Sequence, residues 1–339
     1  MIQCHTFNSF TRMELRETGP YVLSQFVGGM AAVLFLFMAG MTLAFQMDSQ
    51  DRKQRASLLR WRGALRRAGY VFFIAFAFRF CNWISGLPRS GWAQTLARRD
   101  EVLKVDILNC MGAAMAVVSV AAVLRPKSRV QFAVLAGLTF ACAAPLVSAV
   151  EWGGTPHIVR EYLAPNRARF PLFPWASYLA FGLAAGAIVK RTAADRLEGL
   201  MQWAVIVGSV LVFTAQYFSN IPFSLYPKSD FWTDSPALVL IRTGISLLAL
   251  AAAYLWTEFC AGEGWSWMQA LGKTSLLVYW VHVLMVYGDV IKPLKRGLGI
   301  AQAALATLVV VGLMVALAAA RLWWKDRRVA RPQAAPVVA

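Results

Sequence analysis

The sequence has few charged residues, and acidic residues are the scarcer kind. Only 15% of its 339 residues are charged, with 17 Asp and Glu against 34 Lys and Arg. A soluble domain carries roughly a quarter charged residues. Apolar residues make up 58% of the chain, and the mean hydropathy is +0.53. These values exclude an ordinary soluble domain and predict an all-α, polytopic transmembrane protein.

Several motifs of soluble enzymes and of metal sites are also missing. The sequence contains no GxxxxGK phosphate loop, no HExxH and no GxSxG, which argues against an ATP-driven pump and a soluble-type hydrolase. The cysteines have no paired spacing for zinc or for a disulfide framework. They lie scattered at Cys4, Cys81, Cys110, Cys142 and Cys260. We therefore expect no metal and no bound cofactor.

Nine apolar stretches each approach the roughly 20 residues that a bilayer core requires. They are 21–46, 69–87, 105–124, 130–150, 172–189, 200–221, 236–259, 274–291 and 298–320. We expect one transmembrane helical bundle over residues 1–325 and a cytoplasmic tail over 326–339. MIQCHTF at the start is too short to span and looks like the end of a helix whose beginning is absent, so a complete chain is expected to have ten spans.

Basic residues between these stretches predict the orientation. Seven Lys and Arg fall within 47–68, and others follow at 125–129, at 190–196 and in the tail. By the positive-inside rule these segments are cytoplasmic, and the alternate loops 88–104, 151–171 and 222–235 lie outside. The same rule accounts for the net charge of +17 without any nucleic-acid partner.

The stretch 272–289, GKTSLLVYWVHVLMVYGD, combines an apolar helix with a polar stripe. At spacings of four, three, four and three, one helical face carries Ser275, Tyr279, His282, Val286 and Asp289. A helix in lipid keeps such a stripe where it faces the bundle interior or a cavity. Two interpretations stay open, namely a structural histidine bonded to a neighbouring helix and a functional histidine that lines a cavity.

Other polar side chains also fall within the predicted spans. A short loop joins the stretches 69–87 and 105–124, so Arg79 and Asp106 are expected to pair. That pair can be structural or can serve a substrate. Together with the stripe, a polar cavity open to the outside is predicted from Arg79, Asn82, Asp106, Asn109 and Arg242. Glu258 is expected at the membrane interface and His157 in a solvated outer loop.

Four segments carry a resemblance to a known family. They are VLFLFMAGMTLAF (33–45), KVDILNCMG (104–112), FPLFPWASYLAFGLAAG (170–186) and LGKTSLLVYWVHVLMVYG (271–288). They resemble bacterial membrane proteins related to heparan-α-glucosaminide N-acetyltransferase and, more distantly, the acyltransferase 3 enzymes. The resemblance implies a multi-pass protein of the bacterial inner membrane with its C-terminus in the cytoplasm. It would move an acyl group, expected to be acetyl, from cytoplasmic acyl-CoA to a sugar amino or hydroxyl group across the membrane.

The resemblance also suggests roles for two histidines. Relatives usually begin with Asp-x-x-Arg-Gly on a first helix that ends near a polar residue. Here IQCHTFNSF matches only that end, which gives His5 the polar position, and His282 takes a histidine position in the late helix. Acyl transfer needs a base and oxyanion donors. We assign His5 as general base and His282 to hold the acyl donor or orient the reacting groups. The oxyanion donor can be Arg79, Asn82, Asn109 or Tyr279.

Two alternatives to a membrane acyltransferase remain. A transporter or flippase can use the same polar cavity without chemistry, since intramembrane His, Arg and Asp suit either activity. The absence of an inverted repeat argues mildly against it. The chain can also be a truncated, inactive relative, because the Asp and Arg-Gly portion of the first helix is absent.

Overall fold

A computed structural model describes residues 1–85, 91–92, 96, 102–166, 169–221, 225–226, 228–260, 262 and 264–329. Within these residues the chain is helical and contains no β-strand, which confirms the all-α prediction. The α-helices are α1 (Ile2–Phe10), α2 (Gly19–Arg52), α3 (Ser57–Ser85), α4 (Ile107–Val118), α5 (Pro126–Ser148), α6 (His157–Leu163), α7 (Leu172–Arg191), α8 (Leu197–Ser219), α9 (Pro236–Leu255), α10 (Trp267–Lys273), α11 (Ser275–Tyr287) and α12 (Ile300–Val329). Most of the expected tail, 330–339, lies outside the described residues.

Six of these helices are long and apolar enough to cross a membrane, namely α2, α5, α7, α8, α9 and α12. The pair α10 and α11 adds a seventh if it is counted as one broken span. All nine predicted stretches contain helix. However, α3 carries several arginines in its first half, and α4 with its 3₁₀ extension ends at Ala122 and is short. A multi-pass membrane protein is confirmed, while the count of nine spans stays a prediction.

The helix predicted over 272–289 is interrupted at both ends. α10 and α11 meet at Thr274 with a bend of 87°, and α11 ends at Tyr287. The next segment, Asp289–Leu294, is a separate 3₁₀ turn. Ser275 is exposed, whereas Tyr279, His282 and Val286 are buried. The predicted face is therefore present from Ser275 to Val286, although Ser275 is exposed at the first residue of α11. The prediction was wrong for Asp289, which lies beyond the helix.

The chain divides into two compact units. The first contains Met1–Gly29 and Cys260–Ala339, and the second contains Met30–Phe259. In the first unit, α1 packs against α11 and α12 around a core that includes Phe10, Val286 and Val310. In the second unit, α8 packs along α9, α5 packs along α7, and α3 packs along α4. One domain over 1–325 remains a prediction.

Small residues let α2 and α7 approach closely within the second unit. A Cβ added to Gly182 would overlap the carbonyl oxygen of Phe37, and one added to Gly40 would overlap that of Leu179. A Cβ on Gly186 would lie 2.7 Å from the Cα of Met41. The Gly182–Gly186 spacing is the small-xxx-small pattern that permits such contact. The contact between α2 and α7 is therefore one of backbone against backbone.

Candidate active site

Two histidines 277 positions apart meet in the first unit. The Nδ1 atom of His5 on α1 lies 3.0 Å from the Nε2 atom of His282 on α11. Their ring planes lie within 14° of each other, and their centroids are 5.1 Å apart. His282 is 1% exposed and His5 is half-buried, so only His5 retains access to the surroundings. The histidine pair is thus one of the contacts that join α1 to α11.

Hydrogen-bond chemistry fixes which nitrogen carries each proton. The Nδ1 atom of His282 lies 2.6 Å from the carbonyl oxygen of Val278, which can only accept, so this Nδ1 carries a hydrogen. In a neutral imidazole, the Nε2 atom of His282 is then an acceptor. The Nδ1 atom of His5 must donate to it. The remaining nitrogen of His5, Nε2, consequently carries a free lone pair.

Several contacts hold α1 so that His5 faces His282. Backbone hydrogen bonds join the end of α1 to the segment before α12: the amide of Leu298 donates to Phe10, and the amide of Arg296 donates to Ser9. The Ser9 hydroxyl donates to the carbonyl of Val286, one turn beyond His282, at 2.8 Å. Because these bonds connect α1 both to α11 and to the segment before α12, the imidazole of His5 has a defined position.

Further contacts lie around His5 on α1. The Asn8 amide donates to the Tyr287 hydroxyl at 3.0 Å, and the Tyr287 ring packs edge-on against His5 with centroids 5.4 Å apart. Cys4 donates to the side-chain oxygen of Gln25 at 3.3 Å. Tyr287, the last residue of α11, therefore holds the His5 ring in place together with His282, and Gln25 of α2 holds the neighbouring Cys4.

Tyr279 packs edge-on against His282, with ring centroids 5.8 Å apart, and is 7% exposed. Its position one turn before His282 follows from the spacing of three along α11. Of the four residues considered as oxyanion donors, Tyr279 is the one that belongs to the unit of the histidine pair. The side chain of Asp289 lies outside the described residues.

The predicted pair of Arg79 and Asp106 is present in the second unit. The Nε atom of Arg79 lies 3.1 Å from Oδ2 of Asp106, and both side chains are largely buried. Asp106 also caps α4, because its Oδ1 accepts from the amides of Leu108 and Asn109 at 3.0 and 3.1 Å. Asn109 completes the capping box by accepting from the backbone amide of Asp106 at 3.4 Å. This geometry gives both residues a structural task.

The capping role of Asp106 was missed, although the sequence carried the signal. Asp followed three residues later by a side chain that can reach back is a recognisable start of a helix.

The side-chain NH₂ group of Asn109 donates to the Tyr162 hydroxyl at 3.4 Å. Burial raises the pKa of the Tyr162 phenol, so it stays neutral and can accept this bond. Asn82, in contrast, is exposed on α3.

Arg242 lies in a different pocket of the second unit. Its guanidinium carbon is 5.9 Å from the centroid of the Trp175 ring, and Tyr178 lies beside it. His157 is exposed at the start of α6 and lies 3.8 Å from Glu161, consistent with the solvated position expected of it. Glu258 is exposed in the π-helical turn Trp256–Cys260 that follows α9. The predicted set therefore separates into a histidine pair, an ion pair with a helix cap, and an aromatic pocket.

Within the described residues, no three His, Cys, Asp or Glu side chains converge as metal ligands. The five cysteines are free thiols, and Cys110 is buried. The basic groups that can attract a polyanionic co-substrate lie mainly at the end of α2 and the start of α3. The chemistry available at the histidine pair is proton transfer by imidazole.

One comparison with known proteins identifies a family. The family model for heparan-alpha-glucosaminide N-acetyltransferase, catalytic, matches residues 1–218, more than half of the 339-residue chain. His5, Arg79, Asp106 and Asn109 fall within the matched range, whereas Arg242, Tyr279 and His282 follow it. No curated protein and no solved structure matches the chain.

Proposed function

The chain belongs to the family of the catalytic part of heparan-α-glucosaminide N-acetyltransferase, and from that premise we propose that it transfers an acyl group, expected to be acetyl, from acyl-CoA to an amino or hydroxyl group of a sugar. The observation that supports this chemistry is the hydrogen-bonded series from Val278 through His282 to His5. This series leaves the Nε2 atom of His5 with a free lone pair, and His282 holds the His5 ring in place. A positioned imidazole is a suitable base near neutral pH.

In the proposed reaction, the Nε2 atom of His5 takes the proton from the acceptor as its nitrogen or oxygen attacks the thioester carbonyl. The C–S bond to CoA then breaks as the tetrahedral intermediate collapses, and the new C–N or C–O bond remains. The imidazolium of His5 returns its proton to the CoA sulfur. His282 stabilises the charged ring by accepting from Nδ1 of His5, and Val278 keeps His282 in the required tautomer.

Acyl-CoA and a glycan acceptor are the partners that this reaction requires, and membrane lipid surrounds the helices. The oxyanion is proposed to be stabilised by Tyr279, which packs beside His282. Arg79 and Asn109 suit that role less well, because each already serves the start of α4. We assign these two residues, with Asp106, to fixing the junction of α3 and α4.

Turnover by the purified chain tests the proposal. With labelled acetyl-CoA and glucosamine, we expect label in the sugar and an equal amount of free CoA thiol. Reactions without sugar measure hydrolysis, and reactions with N-acetylglucosamine, whose amine is blocked, distinguish amino from hydroxyl acceptors. A folded protein that neither releases CoA nor labels any sugar would contradict the proposal.

The sidedness of the reaction is also a proposal, supported by the distribution of basic residues. We place the acyl-CoA side and the C-terminus in the cytoplasm, and the acceptor side in the periplasm of a bacterial inner membrane. A reporter fused at Ser57, the first residue of α3, is expected to read cytoplasmic. A reporter at Thr155, just before α6, is expected to read periplasmic, and the reverse pattern would overturn this orientation.

One observation favours a transporter as a second candidate. The 87° bend between α10 and α11 at Thr274 is a broken helix of the kind that lines transport sites. Transporters usually contain two such breaks in corresponding positions. Uptake of sugar by proteoliposomes without loss of the thioester would favour this candidate, whereas CoA release that depends on the acceptor favours acyl transfer.

A further inference from the structure

A small pocket in the second unit lies where α7 and α9 begin. Its volume is about 130 Å³, which suits one ring or one charged group better than a whole glycan. One side is formed by Trp175 and Tyr178 of α7, and another by Arg242 of α9. Trp232 and Asn166 complete its rim from the two preceding loops.

Arg242 places a positive charge in this pocket without a carboxylate to balance it. The lining residues contain no Asp or Glu, and no ion pair between described residues involves Arg242. Asp234, the nearest acidic residue along the chain, accepts from Ser229 and from the amide of Asp230 within its own loop. The guanidinium is instead held against the Trp175 ring.

Tyr178 adds a second donor that lacks an acceptor. Its side chain is 1% exposed, and its hydroxyl makes no well-formed hydrogen bond with the described residues. The hydroxyl lies beside the guanidinium of Arg242. An arginine has no acceptor atom, so it cannot receive the phenol hydrogen. Both groups therefore offer hydrogen to the same space, and buried donors are normally satisfied.

We propose that this pocket binds an anionic oxygen group, a carboxylate or a phosphate, carried by a sugar or by a lipid headgroup. Two oxygens of such a group can accept from the fork of Arg242 while one also accepts from the Tyr178 hydroxyl. The Trp175 and Trp232 rings then flank the remainder of the ligand. This site uses residues of the second unit and does not depend on acyl transfer at His5.

Binding to the purified full chain tests the site independently of turnover. Ligand-detected NMR compares glucuronate and glucose 6-phosphate with neutral glucose. Thermal unfolding in nanodiscs compares phosphatidylglycerol with phosphatidylcholine. We expect binding or stabilisation by at least one anionic probe and by neither neutral one. A response to the sugars identifies a soluble ligand, and a response to phosphatidylglycerol alone identifies a headgroup. Equal responses to charged and neutral probes, or none, would overturn the proposal.

Variants separate this pocket from general charge effects. Arg242→Gln is expected to weaken binding about 10-fold or more, and Tyr178→Phe about 3- to 10-fold. Arg321→Gln removes an exposed arginine of α12, far along the chain from the pocket residues, and is expected to leave binding of the probes unchanged. Tyr178→Phe keeps the ring, so it remains informative if Arg242→Gln fails to fold. Unchanged affinity in folded Tyr178→Phe and Arg242→Gln would refute the site, while His5→Ala should bind normally even if it has no turnover.

Discussion

Replacing His5 with alanine is expected to lower kcat by about 10²–10⁴-fold, which corresponds to about 3–5 kcal/mol in the barrier. The reason is that the free lone pair at Nε2 of His5 disappears, and the buried His282 cannot substitute for it. The Nδ1 atom of His282 is bonded to Val278, and its Nε2 atom faces α1. Steady-state rates of CoA release, measured on folded protein, give the comparison.

The chain supplies a matched control for this experiment in its third histidine. His157 is exposed on α6, and His157→Ala should leave kcat unchanged. His282→Ala should lower kcat less than His5→Ala, because it removes the residue that orients His5 and leaves the base itself in place. His282→Gln should recover part of that loss, since an amide oxygen can still accept from His5. If His5→Ala keeps near-normal kcat while His282→Ala abolishes it, the two roles are reversed.

Replacing Asp51 with alanine is expected to destabilise the folded protein by about 3–5 kcal/mol, the range for breaking a buried ion pair. Asp51 near the end of α2 contacts Arg60 of α3 and, at 2.9 Å, Nη1 of Arg129 of α5. The Arg129 side chain is 3% exposed. Without the carboxylate, a buried guanidinium would remain beside a second one. The measurement is the unfolding midpoint in detergent, converted to free energy.

Asp48 provides the comparison, because it pairs with Arg52 on the surface of the same helix. Asp48→Ala is expected to cost about 0.3–0.5 kcal/mol. Combining Asp51→Leu with Arg129→Met should restore much of the stability, since apolar side chains can replace a buried ion pair. If Asp51→Ala unfolds at the same midpoint as Asp48→Ala, the three-helix contact contributes little.

The helical architecture could be predicted from the sequence because the hydropathy of a segment indicates whether it can lie in lipid. Uninterrupted apolar length determined most helix positions, and the cost of a lone charge in lipid led from Arg79 to Asp106. The break at Thr274 was not predicted, although GKTS (272–275) contains residues that commonly end helices. Hydropathy averaged over a window is insensitive to a turn that leaves the surrounding residues apolar.

The contact between His5 and His282 could not be derived from spacing. Their separation of 277 residues gives no periodicity, and the tautomer of His282 depends on a carbonyl of its own helix. The contact between Asp51 and Arg129 could not be predicted for the same reason, because the two residues are 78 positions apart in the chain. Sequence pattern indicates which residues are unusual, while their partners depend on how the helices pack.

The approach of α2 and α7 at Gly40 and Gly182 has a consequence for handling the protein outside its membrane. Backbone meets backbone there, so the attraction comes from dispersion and close Cα–H contacts more than from expelling a solvent. Exchanging lipid for detergent changes the medium around the helices but not the atoms in contact between α2 and α7. The two helices should therefore stay joined on extraction, and losses of structure should begin at helices that depend on surrounding lipid, such as the largely exposed α8.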